Sequence, residues 1–475
     1  MATLIEQNPL YDQLVVGQDI IFTVSNTGIV SSEINVKFIA EVHISNDQIP
    51  NPSTSTDVIG TFKTTPNNAG VGMFDLSPVL ESFVKSDNLA GRSSEYKLNG
   101  QSSDSIVPIH LIDKYSKNRN AISYLAIQFK IEYTDTNGFI VTTDPVNSDL
   151  YNIFNGYLKY TDILDLADTP FTQTTGNNFG YPITQKFTLT QDGGQFLTNA
   201  PTTQYANVND YGTFSFLTIQ TIPSKIRLVY YDSSGSQIGL ESVDFNTSNG
   251  AIPSLDASAS KRLFYFGVFP ANLRNWSSTF NALVTAGTIE GGYYTVEPLT
   301  GSVTNFGQKY TINVNCPNTK GFESIRLCWL NQWGAWDYYT FTMKSSKTIS
   351  TKGSTYRQLE GTWNESRYKV NGFKGGKKAF RVNATEKIKM NTDFVNESES
   401  EWFEELINSP EVYILKGFQS DLSSDPTITI PAMNQYVIPV RLTTSSYTKK
   451  TIANDKVMQY TFEVEKSKTL RTQAV

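Results

Sequence analysis

Apolar and polar residues alternate along several stretches of the chain with a period of two, the spacing of β-strands that have one face in a core. The alternation runs from Gln18 to Val24 and from Ile34 to Val42, with the turn residues Ser25-Asn26-Thr27-Gly28 between them. It returns in four later stretches, at Ser224–Tyr231, Gln237–Phe245, Gln435–Leu442 and Val457–Val464. The pattern predicts a mainly β, multi-domain fold of sandwich-like or barrel-like modules.

Helical spacing appears in three stretches. A serine followed by a proline is typical of a helix start and predicts a short helix over residues 77–85. Apolar residues three and four positions apart predict a second helix over residues 272–286. Ser398 and Glu401 have the spacing of a capping box ahead of an amphipathic run, which predicts a third. The fold should therefore contain a few short helices.

Three of the six tryptophans fall within residues 322–343, a stretch with the pattern of a β-hairpin that we call the tryptophan hairpin. Trp329 and Trp336 lie in its two apolar runs, and Trp333 lies in its turn. Comparable turns, with Gly three positions after Asp, occur at Asp135 and Asp232. Shared turn chemistry of β-hairpins explains this recurrence more simply than an internal duplication. We expect the tryptophan hairpin to be a buried junction.

A chain of 475 residues exceeds the size at which a single hydrophobic core stops growing. Hydrophobic residues make up 39% of it, which is enough apolar material for several cores. We predict an N-terminal β domain with one helix at 1–148, a segment of ambiguous strand boundaries at 149–215, a middle β domain with one helix at 216–300, and a C-terminal β-rich domain at 301–475.

Basic residues are concentrated directly after the tryptophan hairpin. Residues 344–389 contain twelve Lys or Arg against three Glu, a net charge of +9, whereas the whole chain carries −6 and the remainder therefore −15. Aromatic residues are interleaved with these cations, at Tyr356, Trp363, Tyr368, Phe373 and Phe380. We favour a docking surface for an acidic protein; a solvated sheet face is the second interpretation, and contact with nucleic acid is the third. The candidate interface residues are Trp329, Trp333, Trp336, Lys374, Lys377, Lys378 and Arg381.

Side chains suited to catalysis are sparse. His43 and His110 are the only histidines, each in a strand-like run and away from any nucleophile motif. Cys316 and Cys328 are the only cysteines, and we predict both to be reduced, buried and structural. The run at 372–378 lacks the helix that follows a phosphate-binding loop and is predicted to be a turn or an exposed loop. We therefore predict a non-enzymatic protein with no catalytic residue, cofactor or metal; a carboxylate pair for glycoside hydrolysis stays a background alternative.

The start of the chain and its hydropathy bear on location. Residues 1–9 have neither the basic nor the apolar region of a secretory signal peptide. No apolar run approaches the roughly 20 residues that a helix needs to span a bilayer. We therefore expect folding in a cytoplasm and no membrane insertion.

Residues Ile20–Asn26, Asn35–Val42 and Pro66–Asp75, the tryptophan hairpin, and residues Ser398–Leu415 resemble the minor structural proteins of tailed bacteriophages, especially phages of Bacteroidetes hosts. The resemblance spans the first domain and the C-terminal half and leaves about 151–220 uncovered. Its motifs are structural, so it implies no catalytic residue.

The resemblance implies a non-enzymatic component of a tailed-phage virion, in the tail or its tip, that makes subunit contacts in a multi-copy assembly. Its partners would be other virion structural proteins and further copies of the chain, and it would be located in the virion after assembly in the host cytoplasm. A host-receptor or glycan-binding β-module of the virion is the alternative, because aromatic residues and Asn/Thr-rich loops suit sugars. Contact with nucleic acid is not expected.

Overall fold

The computed structural model describes residues 3–10, 13–45, 58–86, 88–89, 108–118, 121–160, 162, 195–218, 225–244, 262–300, 304–305, 307–315, 321–418, 436–448 and 458–471. The described residues are mainly β, as the alternation predicts, with five sheets and a few short helices. The helices are α1 (Thr27–Ser32), α2 (Ser77–Leu80), α3 (Pro270–Trp276), α4 (Ser278–Thr285) and α5 (Glu397–Asn408), with 3-10 turns at Glu81–Phe83 and Ile109–Leu111.

The N-terminal part contains a three-stranded and a seven-stranded sheet. The smaller comprises β1 (Leu4–Gln7), β3 (Ile21–Ser25) and β6 (Val71–Asp75), in the order β1-β3-β6. The larger comprises β2 (Gln13–Val15), β4 (Ile34–Ser45), β5 (Val58–Thr64), β8 (Ile122–Thr134), β9 (Ile140–Thr142), β10 (Val146–Asn147) and β11 (Tyr151–Phe154). Its order is β2-β11-β8-β4-β5, and β9 and β10 also pair with β8.

A hydrophobic core lies between these two sheets. Every second residue from Val36 to Ile44 in β4 and from Leu125 to Ile131 in β8 is buried in it, as the period of two requires. The rings of Phe22 in β3 and Phe74 in β6 lie 5.7 and 5.9 Å from the ring of Phe129 in β8. Burial of each such side chain contributes about 2 kcal/mol. The two sheets are therefore held face to face, as in a sandwich.

The middle part again pairs a larger sheet with a three-stranded one. The larger comprises β12 (Thr203–Ala206), β14 (Lys225–Tyr231), β15 (Gln237–Asp244), β17 (Tyr293–Thr300), β18 (Thr304–Asn305) and β19 (Tyr310–Val314), in the order β12-β19-β17-β14-β15 with β18 on β17. The smaller comprises β7 (Tyr115–Asn118), β13 (Thr213–Thr218) and β16 (Arg262–Gly267), in the order β13-β16-β7. Phe214 of β13 lies 5.1 Å from Tyr310 of β19, so the two sheets share a core.

The C-terminal sheet has seven strands in the order β21-β20-β24-β25-β26-β23-β22. They are β20 (Ile325–Leu330), β21 (Trp336–Phe341), β22 (Ser345–Gln358), β23 (Gly376–Asn391), β24 (Val412–Leu415), β25 (Val437–Leu442) and β26 (Thr461–Lys466). The apolar side of α5 packs on this sheet: the ring of Phe403 lies 5.4 Å from that of Phe462, and the ring of Trp402 lies 4.9 Å from that of Trp329.

The chain divides into two compact units. The first comprises Met1–Pro317, Leu330–Asp337 and Gly417–Asn434, and the second comprises Asn318–Trp329, Tyr338–Lys416 and Gln435–Val475. The turn of the tryptophan hairpin thus belongs to the first unit, and most of its two strands belong to the second. The division into four domains remains a prediction.

Two of the predicted helices differ from the observed ones. The helix expected at 272–286 is interrupted at Ser277, where α3 ends and the serine hydroxyl caps α4 by accepting the amide of Phe280 at 2.8 Å. The capping box of α5 is formed by Asn396 and Glu399, so its prediction at Ser398 was wrong by two residues. Asparagine is as good an N-cap as serine, and it precedes the serine in the chain. The helix expected at 77–85 is confirmed as α2 and the 3-10 turn that follows it.

Candidate interaction site

The three tryptophans of the hairpin are core residues. Trp329, Trp333 and Trp336 expose 0%, 2% and 2% of their surface. Trp329 contacts Trp402 of α5, and the ring of Trp336 meets the ring of His110 edge-on at 4.8 Å. The prediction that this hairpin is buried is confirmed. These three side chains therefore do not present a ring to solvent.

Asn331 builds the turn of the hairpin. Its Oδ1 accepts the backbone amides of Trp333 and Ala335, each at 3.0 Å, and Gly334 adopts a φ of 75°. Asp135 and Asp232 build the same turn, as their spacing predicted, and so does Asn67, which the sequence analysis missed. In all four turns the glycine lies in the left-handed region that disfavours other residues.

Hydrogen bonds within the first unit hold this turn. The Thr198 hydroxyl donates to Asp337 at 2.6 Å, and the Asn331 amide donates to the same carboxylate at 3.2 Å and to the Leu197 carbonyl at 2.9 Å. Asp337 exposes only 3% of its surface. A buried carboxylate that accepts hydrogen bonds from Thr198 and Asn331 fixes the turn in place. The role of Asp337 is therefore structural.

A long two-stranded ribbon extends from the C-terminal sheet. β22 pairs with β23 along its whole length, from Ser345 opposite Met390 to Gln358 opposite Gly376. β26 pairs with β23 only at Lys387–Asn391, and Leu470 bridges Ala384. Between Lys352 and Asn383 the described strands hydrogen-bond only to each other. We call residues 352–383 the arm; its strand portion spans about 23 Å at 3.3 Å per residue.

The arm has no core of its own. Gly361 is its only buried residue, and no side chain of the arm is buried. Eight large apolar side chains are nevertheless exposed on it: Tyr356, Leu359, Trp363, Tyr368, Val370, Phe373, Phe380 and Val382. Trp363 and Phe373, in the loop between the strands, expose 83% and 80% of their surface. Exposed apolar surface at this density is typical of an interaction site.

Cations lie beside these rings. Lys378 is the cross-strand partner of Tyr356. The ring of Phe380, two residues further along the same strand, lies 6.5 Å from the ring of Tyr356. Lys374 lies with its Nζ 5.7 Å from the centroid of the Phe373 ring. The arm contains eight Lys or Arg against two Glu, a net charge of +6. Its surface thus combines aromatic anchors with positive charge, a composition common at protein interfaces.

Most arm cations have no carboxylate partner within the described residues. Arg357 and Lys369 have short-range partners on the arm, Glu360 at 4.0 Å and Glu365 at 3.5 Å. Lys374, Lys377 and Lys378 form no ion pair with the described part of the chain, and Arg381 donates to the amide oxygen of Asn383 at 3.3 Å. As far as the described residues go, Lys374, Lys377 and Lys378 are therefore available to an external anionic group.

Both histidines and Cys328 are buried. His43 lies in β4 and exposes 1% of its surface. His110 also exposes 1%, but it lies in a 3-10 turn after Pro108; the strand predicted for it was wrong, because proline favours a turn there. Cys328 is buried, and burial raises the pKa of its thiol. Cys316 lies outside the described residues.

Neither a metal-binding cluster nor a membrane-spanning helix is found among the described residues. Among the side chains that the structure describes, no group of three or more His, Cys, Asp or Glu is arranged to hold a metal ion. None of the helices within the described ranges has the length and apolar character that crossing a bilayer requires.

The seven predicted interface residues thus fall into two sets. The three tryptophans are buried, whereas Lys374, Lys377, Lys378 and Arg381 are exposed on the arm. The turn predicted for the run at 372–378 is observed at residues 372–375, whereas residues 376–378 are the first residues of β23. The sequence showed the arm aromatics as residues interleaved with cations, but it did not show that both faces of the ribbon are exposed. That any of the seven contacts a partner remains a prediction.

Comparison with known proteins does not assign the chain to a family. No protein-family model and no curated protein matches the chain.

Proposed function

We propose that this protein is a non-enzymatic structural subunit of a multi-copy assembly, and that the arm is the element by which it contacts a neighbouring subunit. The observation that supports the proposal most directly is the exposure of eight large apolar side chains on an arm without a core. An isolated two-stranded ribbon is marginally stable in water. A neighbour that covered the arm would bury its rings and stabilise its strands together.

The assembly that we propose is the virion of a tailed phage, with the protein in the tail or its tip. The resemblance of the N-terminal stretches, the tryptophan hairpin and the region of α5 to minor virion proteins supports this setting. Other virion structural proteins and further copies of the chain would be its partners, and the protein would be located in the particle after assembly in the host cytoplasm. Burial of both histidines and of Cys328 is consistent with a non-enzymatic role.

A host-receptor or glycan-binding module is the second candidate. Trp363 and Phe373 support it, because exposed rings stack on the apolar faces of sugars as readily as on protein. A glycan array probed with the purified chain separates the candidates. Binding to a host glycan that is lost in Trp363→Ala, combined with normal assembly of that variant, would favour recognition over assembly.

The arm can be deleted without removing a buried side chain. Thr351 and Ala384 are cross-strand partners, so Asn-Gly in place of residues 352–383 closes the ribbon with a two-residue turn. Because no buried side chain is removed, the shortened chain should fold and keep its melting temperature. We expect it to be lost from purified particles, as measured by quantitative mass spectrometry of virions made with the deleted gene.

A folded, arm-deleted chain that is incorporated at the normal copy number would contradict the assigned role of the arm. Absence of the intact protein from purified particles would contradict the virion setting. The matched control is a chain with the exposed residues Phe139, Ile140 and Tyr160 replaced by Ala, since these residues are 69–75% exposed and lie outside the arm.

A further inference from the structure

We propose that the arm of one copy of this chain docks on a second copy. This inference rests on the proposed structural role and adds the identity of the partner. The arm carries a net charge of +6, and because the whole chain carries −6, the rest of the chain carries −12. A second copy is therefore a partner of opposite charge that is present wherever the arm is present.

Most charges of the arm are not neutralised by the residues that the structure describes. Lys374, Lys377 and Lys378 are exposed and form no ion pair with the described residues. At an interface, such cations favour approach to an acidic partner and select against a basic one. Association driven this way should weaken as salt screens the charges, because the Debye length falls from about 10 Å at 0.1 M to about 3 Å at 1 M.

The apolar surface of the arm is large enough for a specific contact. Its five aromatic rings are 44–83% exposed. At about 200 Å² per ring, they present about 600 Å² of aromatic surface. A standard interface buries about 800 Å² on each partner, so the arm alone supplies most of one side. Charge then selects the partner, and the rings provide the buried centre of the contact.

The strands of the arm also have free edges. Within the described residues, the segments 352–358 and 376–383 hydrogen-bond to each other and to no third strand. The outward backbone amides and carbonyls of both segments are available for strand addition. A second copy that supplied a strand edge would satisfy these groups, and the arm would then gain a third strand.

The experiment measures self-association of the full chain by sedimentation velocity at 1–50 µM in 50 and 500 mM NaCl. We expect the wild type to associate at both salt concentrations, with a higher dissociation constant at 500 mM NaCl. The variant Lys374→Glu/Lys377→Glu/Lys378→Glu should raise the dissociation constant at least tenfold. Trp363→Ala/Phe373→Ala should also weaken association, and its effect should persist at both salt concentrations.

The matched control reverses the charge of three exposed lysines outside the arm, in the variant Lys85→Glu/Lys416→Glu/Lys468→Glu. It changes the net charge by the same amount and should leave the dissociation constant within twofold of the wild-type value. Circular dichroism and melting temperature establish that each variant is folded. Equal weakening by control and arm variants would show a net-charge effect and overturn the inference.

Two further outcomes would overturn it. The first is a wild-type chain that stays monomeric at 50 µM in 50 mM NaCl. The second is a monomeric chain whose arm binds a fluorescent single-stranded oligonucleotide, with the binding lost in the triple lysine variant. If the chain is monomeric but virions still contain it in an arm-dependent way, the partner is another protein: the self-docking inference fails and the proposed structural role stands.

Discussion

Replacing Trp329 by alanine tests whether the tryptophan hairpin is held by packing. The indole is fully buried against Trp402 and Phe403, with ring centroids 4.9 and 6.4 Å away. A buried indole removes up to about 250 Å² from water, worth about 6 kcal/mol at 25 cal/mol/Å². Residual structure in the unfolded chain lowers this figure by up to about 40%, to about 4 kcal/mol.

One polar atom reduces the expected loss further. The Nε1 of Trp329 is buried and has no hydrogen-bond acceptor among the described residues. Removing this unsatisfied buried donor also removes its desolvation penalty, which offsets about 1 kcal/mol of the lost stability. We therefore expect Trp329→Ala to lower the free energy of unfolding by about 3 kcal/mol, within the range for large-to-small core substitutions. The melting temperature should fall by about 10 °C.

Urea unfolding followed by tryptophan fluorescence and circular dichroism measures this loss. Trp329→Phe keeps most of the apolar surface and removes the unsatisfied N–H, so it should cost less than half as much. Trp363→Ala is the matched control, because this side chain is 83% exposed and its loss should cost less than about 0.5 kcal/mol. Equal stability of Trp329→Ala and wild type, or equal losses in Trp329→Ala and Trp363→Ala, would refute the reasoning.

Three other predictions follow from particular groups. Among the tryptic sites of the described residues, those in the arm should be cleaved first, since residues 352–383 contain eight Lys or Arg and no buried side chain. Mass spectrometry of early fragments checks this. Gly334→Ala should lower the free energy of unfolding, measured in urea, by about 1 kcal/mol or more beyond the loss in Gly235→Ala. Both glycines have positive φ, so both substitutions strain the backbone. A Cβ at Gly334 would also meet a backbone carbonyl, whereas a Cβ at Gly235 would meet nothing within 4 Å. Burial opposes ionisation of Glu297, but hydrogen bonds and charges from Lys309 and a neighbouring arginine outweigh it and lower its pKa. The stability from this lowered pKa is present above about pH 4.5 and is lost as the pH falls through the folded-state pKa, so Glu297→Gln should flatten the fall in unfolding free energy between pH 5 and 3.

Local patterns predicted much of the β architecture. The alternation at Ile34–Val42 is confirmed within β4, and the turn at Asp232 joins β14 to β15 as predicted. Such elements are predictable because strand alternation and Asx turns depend on residues close in sequence. The break at Ser277 was not predicted, because one serine hydroxyl accepting the Phe280 amide outweighs a continuous apolar spacing.

The arm shows the limit of local inference most clearly. Its sequence has aromatic residues between cations, a pattern shared by a half-buried strand and by a fully exposed one. The absence of a third strand between Lys352 and Asn383 within the described residues is what exposes both faces. No local signal encodes that absence, because it depends on where β26 ends, some 80 residues further along the chain.

By itself, the sequence determined a mainly β chain, the turn at Asn331, the turn at 372–375 and the concentration of positive charge after the tryptophan hairpin. Each follows from spacing, turn chemistry or composition. Only the tertiary structure decided that the tryptophans are core and that the candidate contact surface lies on the arm. Burial depends on which distant strands and helices cover a side chain, and Trp329 and Trp363 acquire opposite environments for that reason.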